Sequence, residues 1–85
     1  MNLAEWTMTR TADGDYLIRR GERLFGSILK VAGGGGAAFQ FMSAVRRHGK
    51  PKKPQATVAQ ALRKSSQFSA ALVHHLVITQ KDLVP

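Results

Sequence analysis

Residues 5–20 read EWTMTRTADGDYLIRR, and the reading of this stretch decides the fold. In an extended chain Trp6 and Met8 point one way and Thr7, Thr9 and Thr11 the other. A period of two with threonine enrichment marks a half-buried strand. Asp13-Gly14 follows. An Asp-Gly pair between alternating segments signals a hairpin, because glycine tolerates the positive φ of a type I′ turn. Tyr16–Arg20 is then the returning strand.

Working toward the C-terminus, Gly21-Glu22 makes a second turn and Arg23–Val31, RLFGSILKV, reads as a third strand. Alternation puts Phe25, Ser27, Leu29 and Val31 on one face, and Leu24, Ile28 and Lys30 on the other. Two apolar faces point to a central strand, or to one covered by a helix on its second side. The run AGGGGA at 32–37 reads as a flexible loop, since glycine loses the most backbone entropy on folding. Ala38–Val45, AFQFMSAV, satisfies both periods: Phe39, Phe41 and Val45 at two, and Phe39, Met42 and Val45 at helical spacing. Its place between the glycines and the basic run that follows favours a strand.

After residues 46–54, RRHGKPKKP, a helix begins at Thr57, whose hydroxyl can cap the first turn, with Gln60 completing a capping box. Val58, Ala61, Leu62 and Ser65 form its inner stripe, and Arg63 and Lys64 lie off it. Phe68, Ala71, Leu72, His75 and Leu76 repeat the helical period, while Leu76–Thr79 is β-branched enough to form a short strand instead. The economical architecture is α+β. It is a small antiparallel meander of three to four strands followed by one or two helices packed on the sheet, in a single domain over 1–85. The basic loop at 46–56 joins the sheet to the helical part. No internal repeat is present.

The chain has 85 residues, 44% of them hydrophobic, which is ordinary globular usage. A chain this short buries only about 60–65% of the surface its unfolded form exposes, so a second copy or another partner could supply missing burial. There is no cysteine. Disulfides, thiolate metal sites and cysteine nucleophiles are excluded, and a reducing, cytoplasmic setting is expected. The opening MNLAEWTMTR lacks a continuous apolar stretch, and the interspersed acids argue against a transit peptide. No apolar run approaches the roughly 20 residues of a membrane span.

The charge is unevenly spread. Residues 1–23 hold Glu5, Asp13, Asp15 and Glu22 against Arg10, Arg19, Arg20 and Arg23. Residues 24–81 hold Lys30, Arg46, Arg47, Lys50, Lys52, Lys53, Arg63, Lys64 and Lys81 with no acid, and Asp82 brings the net charge to +8. Uncompensated positive charge repels itself in a compact state, and a polyanion nearby relieves that repulsion. In the basic run, Pro51 and Pro54 hold the chain extended and Gly49 lets it turn. Lysines spaced along such a segment can follow a phosphate backbone as point charges. If strand and helix pack together, Arg46, Arg47, Lys50, Lys52, Lys53, Arg63 and Lys64 form one patch, and these seven are the candidate binding residues.

Other chemistries find little support. The glycine run lacks the Lys-Ser or Lys-Thr and the βαβ context of a phosphate-binding loop. His74 and His75 are adjacent, so they diverge on a helix or a strand, and too few further ligands accompany them for a metal site. Five serines follow Gly26, but no Gly-x-Ser-x-Gly elbow exists and only Asp82 among the acids lies beyond residue 22. Asp13 and Asp15 sit in a turn, where they serve local hydrogen bonding. No cofactor motif is present. The period-two aromatics Phe39 and Phe41 resemble those on which sheet-based RNA binders stack bases, but the core of a chain this poor in aromatics has first claim on them.

The expected function is therefore a small, non-enzymatic module that contacts nucleic acid or a nucleoprotein by electrostatics, with little base reading. A second class is a protein inhibitor or adaptor from a phage or mobile element. The chain resembles anti-CRISPR proteins in being short, free of cysteine and poor in motifs, a likeness of size and composition. In that class the basic patch docks on an acidic or nucleic-acid-binding surface of a larger protein. A third is a structural subunit of a ribonucleoprotein or membrane complex.

Overall fold

The structure is a computed structural model and describes residues 2–33, 35–44 and 53–83. A short 3-10 turn at Leu3–Glu5 leads into β1 (Trp6–Arg10), β2 (Tyr16–Arg20), β3 (Arg23–Gly33) and β4 (Gly36–Ser43). Helices α1 (Val58–Lys64) and α2 (Ala70–Ile78) and a two-residue strand, β5 (Lys81–Asp82), follow. The five strands form one sheet in the order β4-β3-β2-β1-β5. The first four pair as an antiparallel meander, and β5 adds to β1 in parallel. The fold is α+β, as the alternation in the sequence indicates. β5 adds a strand beyond the expected three to four. Two residues carry too little periodicity to be read as a strand.

The first hairpin forms where Asp13-Gly14 predicts it, by a wider turn than type I′. Gly14 alone takes a positive φ, 85°. Its N–H donates to the Thr11 carbonyl at 3.1 Å, and Thr11 N–H donates to the Asp15 carbonyl at 2.8 Å. This is the three-residue loop in which a type I turn is followed by a left-handed glycine. At the second turn Arg20 pairs with Arg23 across Gly21-Glu22, and Gly21 takes a φ of 61°. The Asp15 carboxylate acts at longer range than its own turn, accepting the N–H of Lys30 at 2.9 Å.

One face of the sheet is covered. Met8 pairs with Ile18, and Ile28 with Phe41, and all four are buried. Both helices lie over them, adding Ala61, Leu62, Leu72, Val73 and Leu76 to the same core. The inner stripe of α1 is as expected, with Ser65 buried at its end. The Ser65 hydroxyl donates to the Leu62 carbonyl at 2.6 Å. Thr57 caps α1 by accepting the Gln60 N–H at 3.2 Å. Residues 70–78 are helical, and α2 is rotated from the expected stripe: Val73 is buried and Ala71 exposed. His75 is half-buried at the helix edge and His74 points to solvent.

Two expectations in β3 and β4 are corrected. Ile18 pairs with Gly26 but Arg19 with Leu24, so β3 bulges at Phe25. A bulge places two neighbouring residues against one partner and breaks strict alternation. Phe25 therefore turns to the covered face, 4.9 Å from Trp6 and 5.5 Å from Phe68 between ring centroids. Leu24 goes to the other face, 42% exposed. The glycine run is also not a six-residue loop. β3 runs through Gly33, β4 starts at Gly36, and these two residues pair. The antiparallel ladder pairs the backbone whatever the side chains, and Gly36 with a φ of 134° admits the tight reversal.

Candidate nucleic-acid interface

The sheet order segregates charge. Glu5 precedes β1, Asp13 and Asp15 occupy the β1–β2 turn, Glu22 the β2–β3 turn and Asp82 lies in β5. Among the described residues, β4, the segment 53–57 and α1 carry Lys53, Arg63 and Lys64 and no acid. All three cations are exposed. Arg46, Arg47, Lys50 and Lys52 lie outside the described residues, in the segment that joins Ala44 to Lys53.

Lys53 is held beside the sheet edge. Two residues on, Gln55 exchanges both backbone hydrogen bonds with Phe39 of β4, each 2.8 Å. Its side-chain amide donates to the Lys53 carbonyl at 3.0 Å. Lys53 lines an open groove of about 500 Å³ together with Gly35–Ala38, Pro54, Gln55 and Ala56. Arg63 and Lys64 sit in the last turn of α1. There they also complement the negative end of the helix dipole, a local role that needs no ligand. Lys53 and the pair Arg63 and Lys64 thus stand at opposite ends of one acid-free stretch, beside the β4 edge. The one ion pair among the described residues, Arg20 Nε to Glu5 Oε2 at 3.2 Å, is on the β1–β2 side.

The aromatics are all turned inward. Trp6 and Phe41 are buried, and Tyr16, Phe25, Phe39 and Phe68 pack against the same core. Phe68, in the link between the helices, meets Trp6, Phe25 and Phe41 at centroid distances of 5.9, 5.5 and 5.7 Å. Phe39 faces Tyr16 at 6.2 Å. The likeness of Phe39 and Phe41 to a base-stacking pair therefore ends with Phe41 buried and Phe39 half-buried against Tyr16 and the core.

The other face of the sheet carries the second apolar side that alternation gives β3, which is an inner strand with no helix over that side. Register places on it Thr7, Thr9, Leu17, Arg19, Leu24, Ser27, Leu29, Val31, Ala38, Gln40 and Met42. Most are half-buried, and neither helix lies on that side. Lys81 of β5, opposite Thr9, joins them; half of these side chains are apolar, and the charges are Arg19 and Lys81. The double periodicity of β3 was the available signal, although the bulge at Phe25 obscured which residues belong to which face.

No group of three metal-ligating side chains gathers among the described residues. No described helix is long and apolar enough to cross a membrane. The chain matches no family model, no curated protein and no solved structure, so any functional reading rests on its own residues.

Proposed function

We propose that this protein is a small non-enzymatic module of a reducing compartment such as the cytoplasm, binding nucleic acid or a nucleoprotein through Arg46, Arg47, Lys50, Lys52, Lys53, Arg63 and Lys64. One observation carries this reading. The acids occupy the β1, β2 and β5 side of the sheet, whereas β4, the segment 53–57 and α1 have only cations among the described residues. A face that is merely solvated mixes both signs, and one that meets phosphates does not. Lysines act there as point charges, and the exposed guanidinium of Arg63 can take a phosphate bidentately. Binding of this kind is strong at low salt and weakly dependent on sequence. The test is a titration of labelled duplex and single-stranded nucleic acid at about 50 and 200 mM salt. With about five phosphates neutralised, affinity falls by roughly 10²–10³ over that range. Absence of binding at the lower salt overturns the reading.

A second reading, a protein-docking adaptor or inhibitor, is favoured by the apolar open face of the sheet. Leu17, Leu24, Leu29, Val31 and Met42 bring aliphatic surface there, with Arg19 on β2 and Lys81 at the β5 edge as its charges. A pull-down that returns one stoichiometric protein, abolished when Leu29 and Met42 are changed to Lys, supports it. Retention of the partner by that variant counts against it.

A further inference from the structure

β3 outruns its neighbour. Its pairing with β2 ends at Ile28, while its pairing with β4 continues from Leu29↔Gln40 to Gly33↔Gly36. Five residue pairs therefore extend past the end of β2; Gln55 pairs with Phe39 on the outer side of β4, so the two-stranded part is the last three pairs, Val31↔Ala38 to Gly33↔Gly36, about 10 Å of ribbon. The end of this ribbon is narrow because it is built from Ala32, Gly33, Gly36 and Ala37. Ala32, Gly36 and Ala37 are exposed, and a Cβ built on Gly35 or Gly36 meets nothing within 4 Å. Lys30 is exposed at the base of the ribbon and Lys53 on its β4 side. The Lys30 side chain lies over Gly14, its Nζ 3.7 Å from where a Cβ would be, in the turn that carries Asp13 and Asp15, and the Asp15 carboxylate accepts the Lys30 N–H at 2.9 Å.

We infer that the end of this β3–β4 ribbon enters the major groove of double-stranded DNA, with Lys53 set against the phosphates on its β4 side. The inference rests on the nucleic-acid reading above and narrows it in two ways. The first is from single strands to duplex. Proteins that hold single strands stack bases on aromatic side chains. All six aromatic residues of this chain are committed to the core cluster. Without stacking, attraction rests on phosphates, which a duplex presents at higher density and in two rows along a groove. The second is from A-form to B-form. The B-DNA major groove, about 12 Å wide and 8.5 Å deep, admits a two-stranded β-ribbon. The major groove of duplex RNA is too narrow for side chains to read. A tip of glycine and alanine offers no side-chain donors for base edges, so entry positions the cations without selecting a sequence.

The experiment compares the whole chain with two variants of equal net charge, Gly35→Glu at the ribbon tip and Ala70→Glu on the exposed start of α2. Open space around Gly35 and its ordinary φ leave the fold intact, which a thermal melt checks. Each is titrated with a 25-base-pair duplex DNA, its single strand and the matching duplex RNA. Expected are a preference of the unchanged chain for duplex DNA, a loss of at least about tenfold for Gly35→Glu, and less than about threefold for Ala70→Glu. Gly35→Lys should strengthen binding, which keeps the test decisive if Gly35→Glu melts early. Equal losses in the two glutamate variants, or equal affinity for single strands or duplex RNA, overturn the ribbon assignment and leave electrostatic binding standing. No binding of any nucleic acid by the unchanged chain overturns both.

Discussion

The Nε2 atom of His75 lies 3.2 Å from the carbonyl oxygen of Trp6, joining the middle of α2 to the first residue of β1 across 69 positions of sequence. A carbonyl only accepts, so Nε2 carries the hydrogen. β5 pairs with β1 only at Thr9 and Arg10, and the His75 ring supplies a partner to the strand edge nearer its start. Edge strands need such cover, because unpaired backbone groups invite another strand.

Replacing His75 with Leu keeps the bulk and removes the donor. A partly buried carbonyl left without a partner costs about 1–2 kcal/mol. In a domain of this size that lowers Tm by roughly 4–8 °C per kcal/mol. His75→Gln, which can still donate, should recover part of the loss in a thermal melt. Equal melting of both variants with the parent would show that water serves the Trp6 carbonyl as well as the ring does.

Gly26 is required by close packing rather than by φ. A Cβ there would lie 2.8 Å from the Met42 carbonyl oxygen and 3.1 Å from the Phe41 ring. Both neighbours are fixed, one as backbone of the paired strand and the other as buried core. Gly26→Ala should destabilise by about 1–3 kcal/mol through forced shifts in β3 and β4. Gly35→Ala, in open space, is the matched control and should melt with the parent. A stable Gly26→Ala protein would mean that the strands separate at little cost.

Ser66 ends α1 in the left-handed region, with a φ of 61°, and its N–H donates to the Arg63 carbonyl at 3.2 Å. It is the one non-glycine residue with positive φ among those described. Ser66→Gly relieves the Cβ crowding and should leave stability unchanged or raised by up to about 1 kcal/mol. Ser66→Val places a β-branched side chain there and should cost about 1–2 kcal/mol. Denaturant midpoints that rank Val above Gly would contradict this assignment of the helix end.

The cation set gives two comparable triple variants. Neutralising Lys50, Lys52 and Lys53 to Gln should weaken binding to unrelated DNA sequences by the same factor. The salt slope should flatten by about 0.9 for each phosphate that is no longer neutralised. Changing Lys53, Arg63 and Lys64 to Gln tests the described members alone. A weakening confined to one DNA sequence would point to base reading instead. An unchanged slope in both variants would remove these residues from the interface.

How much of this was legible in the sequence depended on the range of the forces involved. The hairpins at Asp13-Gly14 and Gly21-Glu22, the cap at Thr57, the inner stripe of α1 and the burial of Phe41 follow from local chemistry: turn residues, a capping hydroxyl and apolar periodicity. The concentration of positive charge beyond residue 23 is a property of the sequence alone. Sheet order then decided that the acids and the described cations Lys53, Arg63 and Lys64 lie toward different edges, because β1 and β4 are separated by two strands. Tertiary packing also decided where local rules gave way. The bulge at Phe25 brings its ring to Trp6 and Phe68, against strict alternation. Backbone pairing carries β3 and β4 into the glycine run, where composition alone favours a loop. β5 exists only because β1 offers an edge to a segment too short to show a period. Local preferences of a few tenths of a kcal/mol set each element going, and the shared core and ladder, which connect residues far apart in sequence, settle the places where those preferences conflict.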